Sequence, residues 1–143
     1  MAVNDNLCVI IEVKMISLQE YLDAAGRNPY RAWFDGLDVP AATKVAVALE
    51  RILLGNTSSF KAVGEGVSEC KIDFGPGYRI YFGKDGDRLV ILLGGGTKKR
   101  QSSDITDAQK AWREYKARKK VAQKEAAAKV LATLKEKQKT KRR

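Results

Sequence analysis

Six residues have the chemistry to act on a phosphodiester: Lys71, Arg79, Tyr81, Lys98, Lys99 and Arg100. A planar guanidinium can hold two phosphate oxygens at once, so Arg79 suits a phosphate that gains charge as it is attacked. A lysine or tyrosine set among cations has its pKa drawn down and can take up or hand over a proton. Such groups together can cut RNA without a metal, because the 2′-hydroxyl is a built-in nucleophile. It need only be held in line, deprotonated and relieved of the charge that builds on the phosphorane. Basic residues on an exposed sheet face are more often only a solvated face, and spacing alone does not separate the two readings.

Other chemistries fare worse. The chain has 143 residues and no histidine, which excludes His/Cys metal sites and any triad that uses imidazole as its base. Two cysteines, Cys8 and Cys70, cannot build a disulfide framework, and both fall on strand positions as core thiols. The run Gly94 to Lys99 superficially suggests a phosphate loop but lacks the required spacing of glycines and Gly-Lys-Ser/Thr. Asp85 and Asp87 are turn residues that shape a hairpin. The N-terminus lacks a basic segment followed by a sustained apolar run, and no stretch is long and apolar enough to span a bilayer, so a reducing cytoplasmic setting is expected.

The net charge of +10 is unevenly spread. Residues 1–103 carry 13 Lys/Arg and 12 Asp/Glu, or +1, and residues 104–143 carry 14 and 5, or +9. A long-range field therefore cannot be the means by which the body binds a polyanion; local clusters must serve.

The elements that position the six residues follow from pattern. Residues 8–16 are β-branched and apolar and read as a strand. Ser17 and Glu20 have the spacing of a capping box, which predicts a short helix over 18–25 stopped by Gly26. Tyr30, Trp33, Phe34 and Leu37 recur at helical spacing. Asp38 and Pro40 then open an amphipathic helix over 41–54, with Val45, Ala48, Leu49, Ile52 and Leu53 on its apolar stripe. Strands follow over 67–74, 78–83 and 88–94, joined by the turns at 75–77 and 84–87, with 95–97 as a loop. The class is α+β: an N-terminal strand, two helices, and an antiparallel β-meander with the helices packed on one face. A basic C-terminal helix is appended.

Strand alternation sends Cys70, Ile72, Phe74, Ile80 and Phe82 inward beneath the helices. It sends Glu69, Lys71, Asp73, Arg79 and Tyr81 to the opposite face. Lys71, Arg79 and Tyr81 are thus expected to gather on a face the helices leave open, with Lys98, Lys99 and Arg100 delivered to its edge. Past Asp104 the chain is helical again, and Ala108, Trp112 and Tyr115 are placed to pack back on the body. Beyond residue 118 it is rich in Ala, Lys and Glu, with only a thin apolar stripe at Ala122, Ala126, Val130 and Leu134. The expected division is a domain over 1–118 and a basic helical or disordered extension over 119–143. That extension can be read as a solvated tail, an RNA-anchoring helix or a docking helix.

Several stretches resemble a known family. They are Trp33 to Leu37, Leu54-Gly55-Asn56, Val63 to Val67, Ile72 to Phe82 with its Gly-Pro-Gly-Tyr-Arg-Ile-Tyr-Phe core, and Val90 to Lys99. Over roughly residues 10–118 the chain is similar to the RelE/ParE toxin superfamily, in its HigB-like "addiction module killer" or phage Gp49-like branch. The resemblance implies a RelE-like fold and the toxin of a type II toxin–antitoxin system, a ribosome-dependent mRNA endonuclease that needs no metal or cofactor. The implied partners are a cognate antitoxin, the ribosome and mRNA, with operator DNA reached only through the antitoxin and no membrane. By position, Arg79 following Tyr78 would stabilise the transition-state phosphate. Lys71 on the preceding strand would orient or deprotonate the 2′-hydroxyl. Lys98 would assist the phosphate or leaving group, Lys99 and Arg100 being neighbouring RNA contacts, and Tyr81 would position the substrate. The tyrosine that some members carry near the C-terminus has no clear counterpart, Tyr81 and Tyr115 being the candidates, and Asp73 sets a negative charge beside the cluster. The same fold serves ParE-type inhibitors of DNA gyrase, and a silent toxin that only binds its antitoxin is a third alternative.

Overall fold

A computed structural model of the chain describes residues 16–56 and 58–141. The strand expected over 8–16 lies outside the described residues, save for Ile16. The described elements are β1 (Ser17–Glu20), α1 (Pro29–Asp35), α2 (Val39–Leu53), β2 (Phe60–Ala62), β3 (Val67–Ile72), β4 (Tyr78–Asp85), β5 (Leu89–Thr97) and α3 (Gln101–Lys141). A single 3-10 turn, Lys98–Arg100, joins β5 to α3. The strands form one sheet in the order β1-β5-β4-β3-β2, antiparallel except that β1 runs parallel to β5. The class is α+β, as the patterning predicts.

The helix expected over 18–25 does not form. Ser17–Glu20 is a strand at the edge of the described sheet, in register with Leu89–Leu92, and Glu20 spends its carboxylate on Arg31 (2.6 Å) and Asn28 (2.9 Å). A helix of two turns is marginal alone, and the contacts to β5 and α1 outweigh its capping signal. The two helices α1 and α2 form as read. Asn28 caps α1 by accepting from the Arg31 amide, and Asp38 caps α2 by accepting from the Ala41 amide.

Helices pack on both faces of the sheet. Tyr30, Val45, Ala48 and Ile52 from α1 and α2 meet Cys70, Ile72, Ile80, Phe82, Val90 and Leu92 on one side. On the other, Ala108, Ala111 and Trp112 of α3 cover Val67, Tyr81, Ile91 and Leu93. Ala108, Trp112 and Tyr115 do pack back on the body, and that packing closes the face expected to be open.

Glycines set the closeness of this packing. A Cβ on Gly83 would sit 2.5 Å from the Trp112 ring, and one on Gly95 would sit 2.1 Å from the Trp33 ring. Each tryptophan therefore lies against bare backbone of a central strand. Residues 95–97, expected as a loop, continue β5. A bulge in the β4–β5 pairing, where Tyr81 faces Gly94 and Phe82 faces Leu92, leaves Leu93 as the extra residue. It shifts the alternation so that Gly95 faces Trp33 and Gly96 faces α3.

Candidate functional site

The candidate site lies at the sheet end marked by the Gly75-Pro76-Gly77 turn. Both glycines there have positive φ (+54° and +79°), which explains their type. The tight turn fixes the β3–β4 register, setting Lys71 directly opposite Arg79 and Arg79 opposite Gly96. Lys98 follows from the other side: its amide donates to the Gly77 carbonyl at 3.0 Å. A Cβ on Gly77 would lie 3.8 Å from Lys98 Cβ and 3.9 Å from Arg79 Nη1, so both side chains converge on that glycine. The structure thus brings Lys71, Arg79 and Lys98 to one end of the sheet. Lys99 and Arg100 sit exposed on the 3-10 turn beside them.

Arg79 is only 5 % exposed, and Glu69 beside it 3 %. Arg79 Nε donates to Glu69 Oε1 at 3.3 Å, and Gln101 Nε2 donates to Glu69 Oε2 at 2.9 Å. The first turn of α3 is thereby tied over the pair. Asp104 reaches further in because Gly96 has no side chain: a Cβ there would lie 1.9 Å from Asp104 Oδ2. Three buried polar atoms around this point, Arg79 Nη1, Tyr81 Oη and Asp104 Oδ2, have no hydrogen-bond partner among the described residues. Unpartnered polar atoms are uncommon in interiors, and among these Arg79 Nη1 is the cationic donor nearest the Gly77 turn.

The electrostatics fit that picture. Burial, against a lesser pull from Arg100, raises the Asp104 carboxyl above its ordinary range. Burial first, and then the charges of Glu69 and Asp104, hold the Tyr81 hydroxyl above the ordinary phenol range. Lys71 stays largely exposed, 54 % by side chain, in an ion pair with Asp73 at 3.3 Å.

Three expectations are corrected here. Tyr81 does not stand on an open face: it is fully buried beneath α3 within the second core, where it cannot touch a substrate. Arg79 is likewise covered, by Glu69 and the α3 turn. The expected loop after β5 is a 3-10 turn leading directly into α3, which begins at Gln101, ahead of the residues that signalled it. Sequence reasoning missed Glu69, Gln101 and Asp104 as members of the cluster. Glu69 was legible in part, two residues before Lys71 on the same face. Gly95 and Gly96 were the trace of what packs there, Trp33 and Asp104.

Comparison with known proteins adds two findings. A family model described as "phage derived protein Gp49-like" matches residues 32–116, which run from within α1 to the first part of α3 and include every residue of the candidate site. An uncharacterized protein of Haemophilus influenzae is 38% identical over 80 residues, 55% of this chain and 81% of the relative.

Proposed function

This chain belongs to the phage-derived Gp49-like family, and on that footing we propose that it is the toxin of a toxin–antitoxin pair, an endoribonuclease that cuts mRNA on the ribosome without a metal. The observation that supports this reading best is Arg79 Nη1, a buried guanidinium nitrogen with no hydrogen-bond partner among the described residues, flanked by Lys71 and Lys98. Glu69 holds one side of the guanidinium and leaves the other to an anion. A phosphate seated there would meet a pre-aimed fork, which is what a phosphorane needs for stabilisation. Lys71, across the strand, is placed to orient the 2′-hydroxyl as an ammonium, or to accept its proton when its amine is neutral. Lys98 serves the phosphate or the leaving oxygen, with Lys99 and Arg100 binding adjacent RNA. Tyr81 acts from below, as packing under Arg79. For the phosphate to reach Nη1, the Gln101–Glu69 contact must loosen, which binding on the ribosome would drive.

A second reading draws on that same burial: a protein whose Arg79 stays locked on Glu69 binds its antitoxin and cuts nothing. The deciding experiment is inducible expression in a bacterium with primer extension on an abundant mRNA, comparing wild type with Arg79→Lys. Lysine keeps a charge for Glu69 but loses the second nitrogen. Growth arrest with ribosome-phased cuts, both falling at least tenfold in the variant, supports the nuclease. Arrest with intact mRNA and damaged DNA turns the assignment to a gyrase poison. Absence of any arrest leaves the antitoxin-binding role.

A further inference from the structure

A second cleft lies at the edge of β3, around the strand from the candidate site. β2 pairs only with Ser68–Cys70, so beyond Cys70 no described strand covers the outer edge of β3. Between that edge and α2 is a cleft of about 350 Å³. Its floor is apolar, from Val47, Cys70 and Ile72, and its rim carries Lys44, Arg51 and Lys71. Lys44 and Arg51 are seven residues apart on one helix face, about 10 Å along its axis. Neither makes an ion pair among the described residues; the Lys44 ammonium sits 5.5 Å over the Phe74 ring. The one carboxylate in the lining, Asp73, is engaged by Lys71.

An apolar floor with cations on its rim matches a nucleotide, whose base is flat and apolar on its faces and whose phosphates are anionic. The volume is of the right order for one such unit. We propose that this cleft seats one nucleotide of single-stranded RNA, its base on the Val47 floor and its flanking phosphates on Lys44 and Arg51. Lys71 belongs to the cleft rim and also faces Arg79 across the strands, so a strand held here runs directly to the candidate cutting site. The inference rests on the nuclease reading for its purpose, but binding and cutting can be measured apart.

The probe is a fluorescein-labelled 12-nucleotide 2′-O-methyl RNA, which cannot be cut, titrated with the full chain at several salt concentrations. Lys44→Ala with Arg51→Ala should weaken binding roughly tenfold at low salt and reduce the slope of log K against log salt by about 1.4, two phosphate contacts on a single strand. Val47→Trp, which fills the floor and leaves the charges, should weaken binding with the slope unchanged. All three side chains are exposed on α2, so the variants should fold as wild type does. Wild-type affinity and slope in both variants would overturn the proposal and leave the open edge to an extended peptide. Binding that responds as expected in a protein that cuts no mRNA would sustain the cleft and remove the nuclease.

Discussion

Arg79 and Glu69 are a buried pair whose members cannot be removed singly without leaving a charge in the interior. Truncating one partner of such a pair typically costs about 3–5 kcal/mol. Arg79→Ala should therefore lose stability of that order in urea unfolding, and its loss of toxicity alone would not identify a catalytic role. Arg79→Lys should lose less than about half as much. Asp104 gives a pH signature. Its folded-state pKa is raised by burial, so between its ordinary value of 3.8 and that higher value the folded state binds more protons than the unfolded one. The contribution of Asp104 to stability thus falls as pH rises through that window. Asp104→Asn should stabilise the protein at neutral pH, with the gain shrinking as the medium is acidified; a gain independent of pH would separate the effect from ionisation. At this scale the alternation of β3 and β4 placed Lys71, Arg79, Ile80 and Phe82 on their correct faces. The contacts of Glu69 and Asp104 were not legible, because they depend on where α3 crosses the sheet.

The elements show why some local signals carry and others fail. Helix α2 is over-determined by Asp38, Pro40 and a regular apolar stripe, and it forms within two residues of its expected bounds. β1 has four residues, and its strand character comes from a partner far along the chain, so its own residues offered a misleading capping box. The glycines at 95 and 96 looked like a loop because their strand role is to admit Trp33 and Asp104. That role is testable. Gly95→Ala would drive a methyl into the Trp33 ring and force backbone shifts, with an expected loss of about 1–3 kcal/mol or more by thermal or urea unfolding. Gly86→Ala makes a useful contrast: nothing lies within 4 Å of its Cβ position, so only the strain of its positive φ of +73° remains.

On the scale of the molecule, α3 has two different halves. Its first part is tied to the body by Tyr21 to Glu114 (2.7 Å), Tyr115 to Asp85 (2.6 Å), and Lys119 to Asp85. Past Gln123 every described residue is exposed, Val130, Leu131 and Leu134 included. We propose that this segment is an extension to a domain that ends near residue 118. A chain ending at Gln123 sheds 8 Lys/Arg and 2 Asp/Glu, so its net charge falls from +10 to +4. It should keep its unfolding free energy within about 0.5 kcal/mol. A larger loss would mean that the extension packs on the body. The charge asymmetry of this tail was plain in the sequence, whereas the closing of the second sheet face by α3 was not.

The parallel pairing of β1 with β5 also bears on how the protein is born. A nascent chain presents β1 before the other described strands, yet its described neighbour in the sheet is the last of them to be made. Until Leu89–Thr97 has been translated, β1 lacks its described neighbour and β4 has an open flank. Gln101 and Asp104, which complete the polar cluster, come later still. A ribosome halted before Gln101 therefore releases a polypeptide in which Arg79 has Glu69 beside it but lacks the α3 turn that ties the pair down. The candidate site is thus completed only after every described strand has been made.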